Sequence, residues 1–139
     1  MKNLLSLLLT LSLALPLVAS AAIEKPEASS YNEQKTSILV TADQPEFSIK
    51  LKANPTTGYS WFLRECNTRY LEPVKHSFQS AENKKLMGAP GYELWTFKVK
   101  PEAFNVPHQT PLRFVYARPW EKSDQSTGIV FWVSTMGKK

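Results

Sequence analysis

Nucleophilic chemistry in this sequence would have to start from Cys66, its single cysteine, with His76 or His108 as the base. A catalytic thiol needs its pKa lowered, usually by a helix N-terminus or a well-placed histidine. Cys66 stands instead in Arg64-Glu65-Cys66-Asn67, just past a strand-like run, in a chain with no evident helix. A partly buried or strand-end thiol is the better reading, and no enzyme activity is expected. The two histidines, far apart and accompanied by one cysteine, make no zinc spacing, and both read as loop or strand-end residues. The sequence also lacks a glycine-rich phosphate loop and a Gly-x-Ser-x-Gly nucleophile turn. No catalytic residue, metal or cofactor is therefore expected.

Binding chemistry is better represented, in three turn-like segments. The first is Asn54-Pro55-Thr56-Thr57-Gly58-Tyr59. Pro55 fixes φ, and Gly58 is suited to a positive φ before Tyr59 enters the next strand. Six residues with two consecutive threonines are longer than a tight hairpin needs, and the hydroxyls suit a polar cleft. The second, Gly88-Ala89-Pro90-Gly91, has two glycines that let the main chain come close to a partner. The third is Arg118-Pro119-Trp120. Trp and Arg are enriched at interface hot spots, and Pro119 stiffens the loop, so less entropy is lost on docking. Each segment also has a purely structural reading. Turn chemistry explains most of the first two, and Trp120 could fold back as a lid on the core with Arg118 stacked on it.

The elements that must hold these turns are strands. From Thr36 onward the apolar residues follow period two rather than 3.6. Phe47, Ile49 and Leu51 alternate with Ser48, Lys50 and Lys52; Trp95, Phe97 and Val99 alternate with Thr96, Lys98 and Lys100. Such alternation marks antiparallel strands with one solvated face. The runs Ser37–Thr41, Phe47–Leu51, Tyr59–Leu63, Leu71–Phe78, Tyr92–Lys100, Leu112–Arg118 and Ile129–Thr135 give about seven strands. The fold expected is all-β, an immunoglobulin-like antiparallel sandwich, with a barrel as the other topology the strand count allows. The irregular segment Lys100–Pro111, with Pro101, Pro107 and Pro111, reads as a crossover between sheets. Trp95 is in register with core positions, whereas the pattern does not place Trp61 or Trp132.

Taken together and in this order, the three segments resemble the chagasin family, small secreted inhibitors of papain-like cysteine proteases. The neighbouring Tyr59-Ser60-Trp61, Trp95-Thr96-Phe97 and Glu121-Lys122 are also similar to that family, and the likeness runs from about Thr36 to Thr135. One departure is Pro90, where many relatives have a further glycine. The resemblance implies an immunoglobulin-like sandwich whose three loops lie at one end as a wedge. It implies that Thr56, held by Pro55 and Thr57, occludes the catalytic Cys–His pair of the protease, and that inhibition is reversible. It further implies that Trp120, oriented by Arg118 and Pro119, lies on the primed side of the cleft and Gly88 to Gly91 on the non-primed side. The partner so implied is a papain-like, cathepsin L-like cysteine protease.

The chain opens with Lys2, a leucine-rich run and Ala19-Ser20-Ala21, which reads as a signal peptide over residues 1–21, too short and interrupted for a membrane span. Residues 22–35 read as a flexible arm, and 36–139 as the inhibitor domain. Export to a periplasm or the medium is expected, or to a vesicular or lysosomal compartment in a protozoan. No membrane attachment is expected after cleavage. The lone cysteine rules out an internal disulfide. The net charge of +5, without a basic stripe interleaved with aromatics, gives no ground for nucleic-acid binding. A monomer is expected. The alternative function is an exported immunoglobulin-like module for a glycan or adhesion partner, which would gather several aromatics on one sheet face.

Overall fold

The computed structural model describes residues 28–80, 90–122 and 126–138. They form eight strands: β1 Ser29–Tyr31, β2 Ser37–Val40, β3 Glu46–Ala53, β4 Ser60–Cys66, β5 Leu71–Gln79, β6 Gly91–Val99, β7 His108–Ala117 and β8 Thr127–Thr135. Two four-stranded sheets result, with orders β1-β3-β6-β5 and β2-β8-β7-β4. This is the expected all-β sandwich. Period-two sequences produce it because alternate side chains share a face, and two such faces bury each other.

The inward residues are those the alternation marks. Phe47, Ile49, Leu51, Phe97 and Val99 of the first sheet meet Ile38, Val40, Leu112, Phe114, Phe131 and Val133 of the second, all buried. Four phenylalanines cross the sandwich. Phe47 stacks on Phe97 at 5.6 Å, Phe97 meets Phe114 edge-on at 6.1 Å, and Phe114 meets Phe131 at 6.0 Å. Each buried ring contributes about 1.5–3 kcal/mol by removing apolar surface from water, with a further fraction from ring geometry.

Register sends the connections that matter to one end. Ala53, the last residue of β3, lies opposite Gly91, the first of β6, while Ser60, the first of β4, lies opposite Ala117, the last of β7. Segments 54–59, 80–90 and 118–126 therefore all leave from the same pole. At the other pole Pro101–Phe104 forms a 3-10 turn, and the chain crosses from β6 in one sheet to β7 in the other. The crossover is shorter than the sequence suggests, because β7 begins at His108 and includes Pro111. A proline is tolerated there for a geometric reason. The Trp132 N–H opposite it points away to the Thr36 carbonyl, so Pro111's own nitrogen faces the β4 side, where pairing stops at Leu112.

Two findings correct the sequence reading. The arm expected over residues 22–35 is ordered in its described part. Ser29–Tyr31 pairs in parallel with Phe47–Ile49, and Tyr31 is 6% exposed, its ring edge-on to Phe47. Asn32 then turns the chain by accepting from the Gln34 and Lys35 N–H groups at 3.1 Å each. One apolar residue in a three-residue strand leaves no periodic signal; backbone pairing to the free edge of β3 decides its structure. Nor is the sandwich purely antiparallel, since β2 also pairs in parallel, with β8. Residues 1–27, and with them the expected signal peptide, lie outside the described residues.

If β1 belongs to the cooperative core, Tyr31→Ala lowers unfolding stability by about 3 kcal/mol, since it empties a buried aromatic site. Urea denaturation followed by tryptophan fluorescence checks this. An unchanged midpoint would mean that β1 is peripheral to the folding unit.

Candidate functional site

The pole that gathers three connections is built upward from the 54–59 loop. Asn54 has extended backbone, Pro55–Thr57 makes one 3-10 turn, and Gly58 closes it at φ 80°. Hydrogen bonds fix the turn from within. The Thr56 hydroxyl donates to Asn54 Oδ1 and the Thr57 hydroxyl to the Asn54 carbonyl, both at 2.6 Å. The Asn54 side chain thus organises the turn, as Asn commonly does. Thr56 is left exposed at the tip.

Below the turn lies an aromatic base. The Asn54 N–H donates to the Tyr116 hydroxyl at 2.9 Å, and the Tyr116 ring lies between Tyr59, at 5.3 Å, and Trp61, at 4.9 Å. Trp61 is buried, and its indole N–H donates to the Lys52 carbonyl at 2.9 Å. The residue before the turn and the first strand after it are therefore tied across the loop's neck.

Arg118 joins this loop to the next. Its Nε donates to the Thr57 carbonyl at 3.0 Å, and its guanidinium carbon lies 4.5 Å from the centre of the Tyr59 ring. A second guanidinium nitrogen pairs with Glu121 Oε1 at 2.9 Å, while Glu121 Oε2 accepts from the Tyr59 hydroxyl at 3.3 Å. A planar, always-charged fork suits this use; the point charge of a lysine could not reproduce it. Trp120, between the paired residues, is 72% exposed. It does not lid the core, and Arg118 stacks on Tyr59 instead of on it. The tip of the Trp120 indole reaches back to Gly58, where an added Cβ would come within 2.8 Å of it. Gly58 is thus required twice, by its φ and by this contact.

The third segment is described only in part. Gly88 and Ala89 lie outside the described residues. Pro90 is exposed, and Gly91 is buried at the start of β6, where a Cβ would strike the Phe78 ring and the Gln79 carbonyl. Gly91 therefore lets the segment start flush against its neighbours. The structure thus unites Asn54, Pro55, Thr56, Thr57, Gly58, Tyr59, Arg118, Pro119 and Trp120 at one edge, with Pro90 and Gly91 opening the adjoining segment. The sequence does not single out Tyr116 or Glu121 as site residues. The opposite charges of Arg118 and Glu121, three positions apart around Pro119-Trp120, were a usable signal.

Cys66 ends β4 and is partly buried. Burial pushes its thiol above the ordinary value, against a smaller opposing pull from Lys100. A protonated thiol is a poor nucleophile. Neither histidine lies in the loop edge. His108 opens β7 as a strand-end residue, but His76 lies within β5, paired with Glu93 at 2.8 Å, and not in a loop or at a strand end. Among the described residues no group of three or more His, Cys, Asp or Glu side chains could hold a metal ion. What the edge offers is a pre-shaped surface of hydroxyl, backbone and indole.

Over residues 41–133 the sequence matches the family described as chagasin family peptidase inhibitor I42. Among solved structures it is similar to EhICP2, a cysteine protease inhibitor from Entamoeba histolytica, with TM-score 0.62 and 19% identity, covering 80% of this chain and 96% of that one. It is also similar to amebosin, with TM-score 0.57 and 20% identity, covering 81% of this chain and 99% of that one. At such identities these structures speak to the shared fold. No curated protein sequence gives a match.

Two outcomes follow from the site's geometry. Gly58→Ala loses about 1–2 kcal/mol through its left-handed backbone, and it displaces Trp120, which the indole N–H resonance in a proton–nitrogen NMR spectrum reports. Cys66 reacts with a disulfide reagent at pH 7.5 more slowly than free cysteine does; equal rates would contradict a buried, protonated thiol.

Proposed function

The chain belongs to the chagasin family of peptidase inhibitors, and from that membership we propose that it reversibly and tightly inhibits papain-like cysteine proteases by filling their active-site cleft with its loop edge. As a member of an inhibitor family it is not an enzyme. The observation that carries the finer reading is the coupling of two loops into one edge by Arg118, which leaves Thr56 and Trp120 presented outward.

In this mechanism Thr56 enters the cleft beside the catalytic Cys–His pair and excludes substrate. The 3-10 turn around it offers the attacking thiolate no well-placed scissile carbonyl, so the complex forms without turnover. Trp120 packs on the primed side as an aromatic anchor. The segment 88–91 runs along the non-primed side, where substrate-like backbone hydrogen bonds can form. Three loops are sufficient for an interface of about 800 Å² per partner, the usual size for protease inhibitors. Because the edge is held by internal bonds before it meets a partner, little ordering entropy is lost on docking. Cathepsin L-like enzymes are the proposed targets, the acting form a monomer, and the expected leader at residues 1–21 the export signal that brings the two together.

The glycan or adhesion reading needs several aromatics on one outer sheet face. Of the four tryptophans, Trp61 is buried, Trp95 packs against the core and Trp120 stands at a loop tip, leaving Trp132 on an outer face. That distribution favours the loop edge.

Titration of the purified protein against papain and a cathepsin L-like enzyme, with a serine protease as control, tests the proposal. Dose-dependent, reversible loss of activity in the cysteine enzymes alone is expected. Trp120→Ala then weakens inhibition by roughly thirtyfold, about 2 kcal/mol, with Thr56→Ala losing less and Cys66→Ser nothing. Absence of inhibition by folded protein at micromolar concentration rejects this function.

A further inference from the structure

Among the described residues, one buried ionic group is left unused by the loop edge: Glu93, on the inward-facing side of β6, two residues from its start at the loop pole. It is 5% exposed, yet it sits in phase with Phe97 and Val99, where an apolar residue belongs. A buried carboxylate is costly unless paired and hydrogen-bonded, and apolar replacement of such a group is often neutral or stabilising. Fold stability alone therefore gives weak reason for it. Its partners suggest another.

One oxygen, Oε1, accepts the backbone N–H of Trp61 at 3.0 Å; the other, Oε2, is 2.8 Å from His76 Nε2. Trp61 belongs to β4, the edge strand of the second sheet, whereas Glu93 belongs to the first. The Trp61 N–H points away from β7 and has no strand to donate to. The Glu93 carboxylate supplies the acceptor that a neighbouring strand would have provided. His76, from β5 and 46% exposed in its side chain, stacks on Trp95 at 4.0 Å and holds the carboxylate from the opposite side. From Trp61 the connection continues outward. Its indole N–H holds the Lys52 carbonyl, its ring supports Tyr116, the Tyr116 hydroxyl holds the Asn54 N–H, and Asn54 Oδ1 holds the Thr56 hydroxyl.

We propose that Glu93 is a positioning residue for the 54–59 loop: by fixing Trp61 across the gap between the sheets, with His76 as its counterpart, it sets where Thr56 stands relative to the rest of the inhibitory edge. The proposal rests on the inhibitory reading of that loop. A purely structural residue would change stability without being coupled to Thr56; a positioning residue acts through Thr56.

The test is a double-mutant cycle on inhibition of papain by the purified protein: parent, Glu93→Leu, Thr56→Ala and the double variant, at a temperature where circular dichroism finds all four folded. Glu93→Leu is expected to weaken inhibition about tenfold, and the double variant to be little weaker than the poorer single variant. Additive losses, or a Glu93→Leu protein that inhibits as the parent does, overturn the proposal. Amide hydrogen exchange at Asn54, Thr56, Thr57 and Gly58 is measured without protease. Faster exchange in Glu93→Leu supports the proposal, and unchanged exchange overturns it whatever the inhibition does. Should Glu93→Leu fail to fold, Glu93→Gln takes its place in both measurements. It keeps an acceptor for Trp61 but loses the charge facing His76, so a smaller change in the same direction is expected and no change overturns the proposal. If the parent itself does not inhibit papain, the inhibitory reading falls, and exchange alone decides whether Glu93 positions the loop.

Discussion

Two sheets that share no strand are joined by the chain that crosses between them and otherwise held face to face by side-chain contacts, and the structure depends on how those contacts are made. Through the middle of the sandwich the contact is apolar and non-directional. The phenylalanines Phe47, Phe97, Phe114 and Phe131 interlock, and tight packing fixes the spacing between layers. At the loop pole the contact is directional. The Glu93 carboxylate of one sheet holds a backbone N–H of the other. The first kind of contact gives the fold most of its stability; the second specifies where one edge strand lies, and hence where its loop begins.

Stiffness at the loop pole has the same origin. Several backbone groups around residues 52–61 have specific partners. The Lys52 N–H is held by Glu33 and its carbonyl by Trp61, the Asn54 N–H by Tyr116, and the Thr57 carbonyl by Arg118. A surface loop would ordinarily sample many conformations, and each would have to be surrendered on binding. Here the folding of the domain has already selected one. The residues that do this come from β1's following turn, β4, β7 and the 118–121 segment, so the loop's shape is a property of the whole fold and not of its six residues.

That distribution explains what the sequence made legible. Most of strands β2 to β8 are legible from apolar residues in period two, and Phe47, Phe97, Phe114 and Phe131 point inward as that alternation marks them; β5, which buries only Leu71, shows no such alternation. The turn at Asn54 to Tyr59 was legible because proline and glycine have local meanings that tertiary structure rarely overrides. β1 was not, since three residues with one apolar side chain carry no period. Neither parallel pairing could be read, because alternation gives the face of a residue and says nothing of which strand lies beside it. The aromatic base was half legible: Tyr59 and Trp61 adjoin a motif, whereas Tyr116 lies 62 positions from Asn54 and only the closed sandwich brings them together. Glu93 left a trace in the sequence as a charge in an apolar phase, the kind of local inconsistency that often marks a residue with a task beyond packing.

The parallel pairing of β1 with β3 has a practical side. Because β3 runs toward the loop pole and Ser29 lies beside Phe47 near its start, the chain enters the domain at the far end. It also leaves there, since Thr135 lies opposite His108 and the Lys138 N–H is held by the Phe104 carbonyl after the crossover. Both described ends thus lie at the pole opposite the loop edge. An affinity tag, a solid support or a second domain joined directly at Ala28 or Lys138 would leave the domain at the pole opposite the loop face. The same scaffold can therefore be displayed or linked in tandem with every copy still presenting its loops outward.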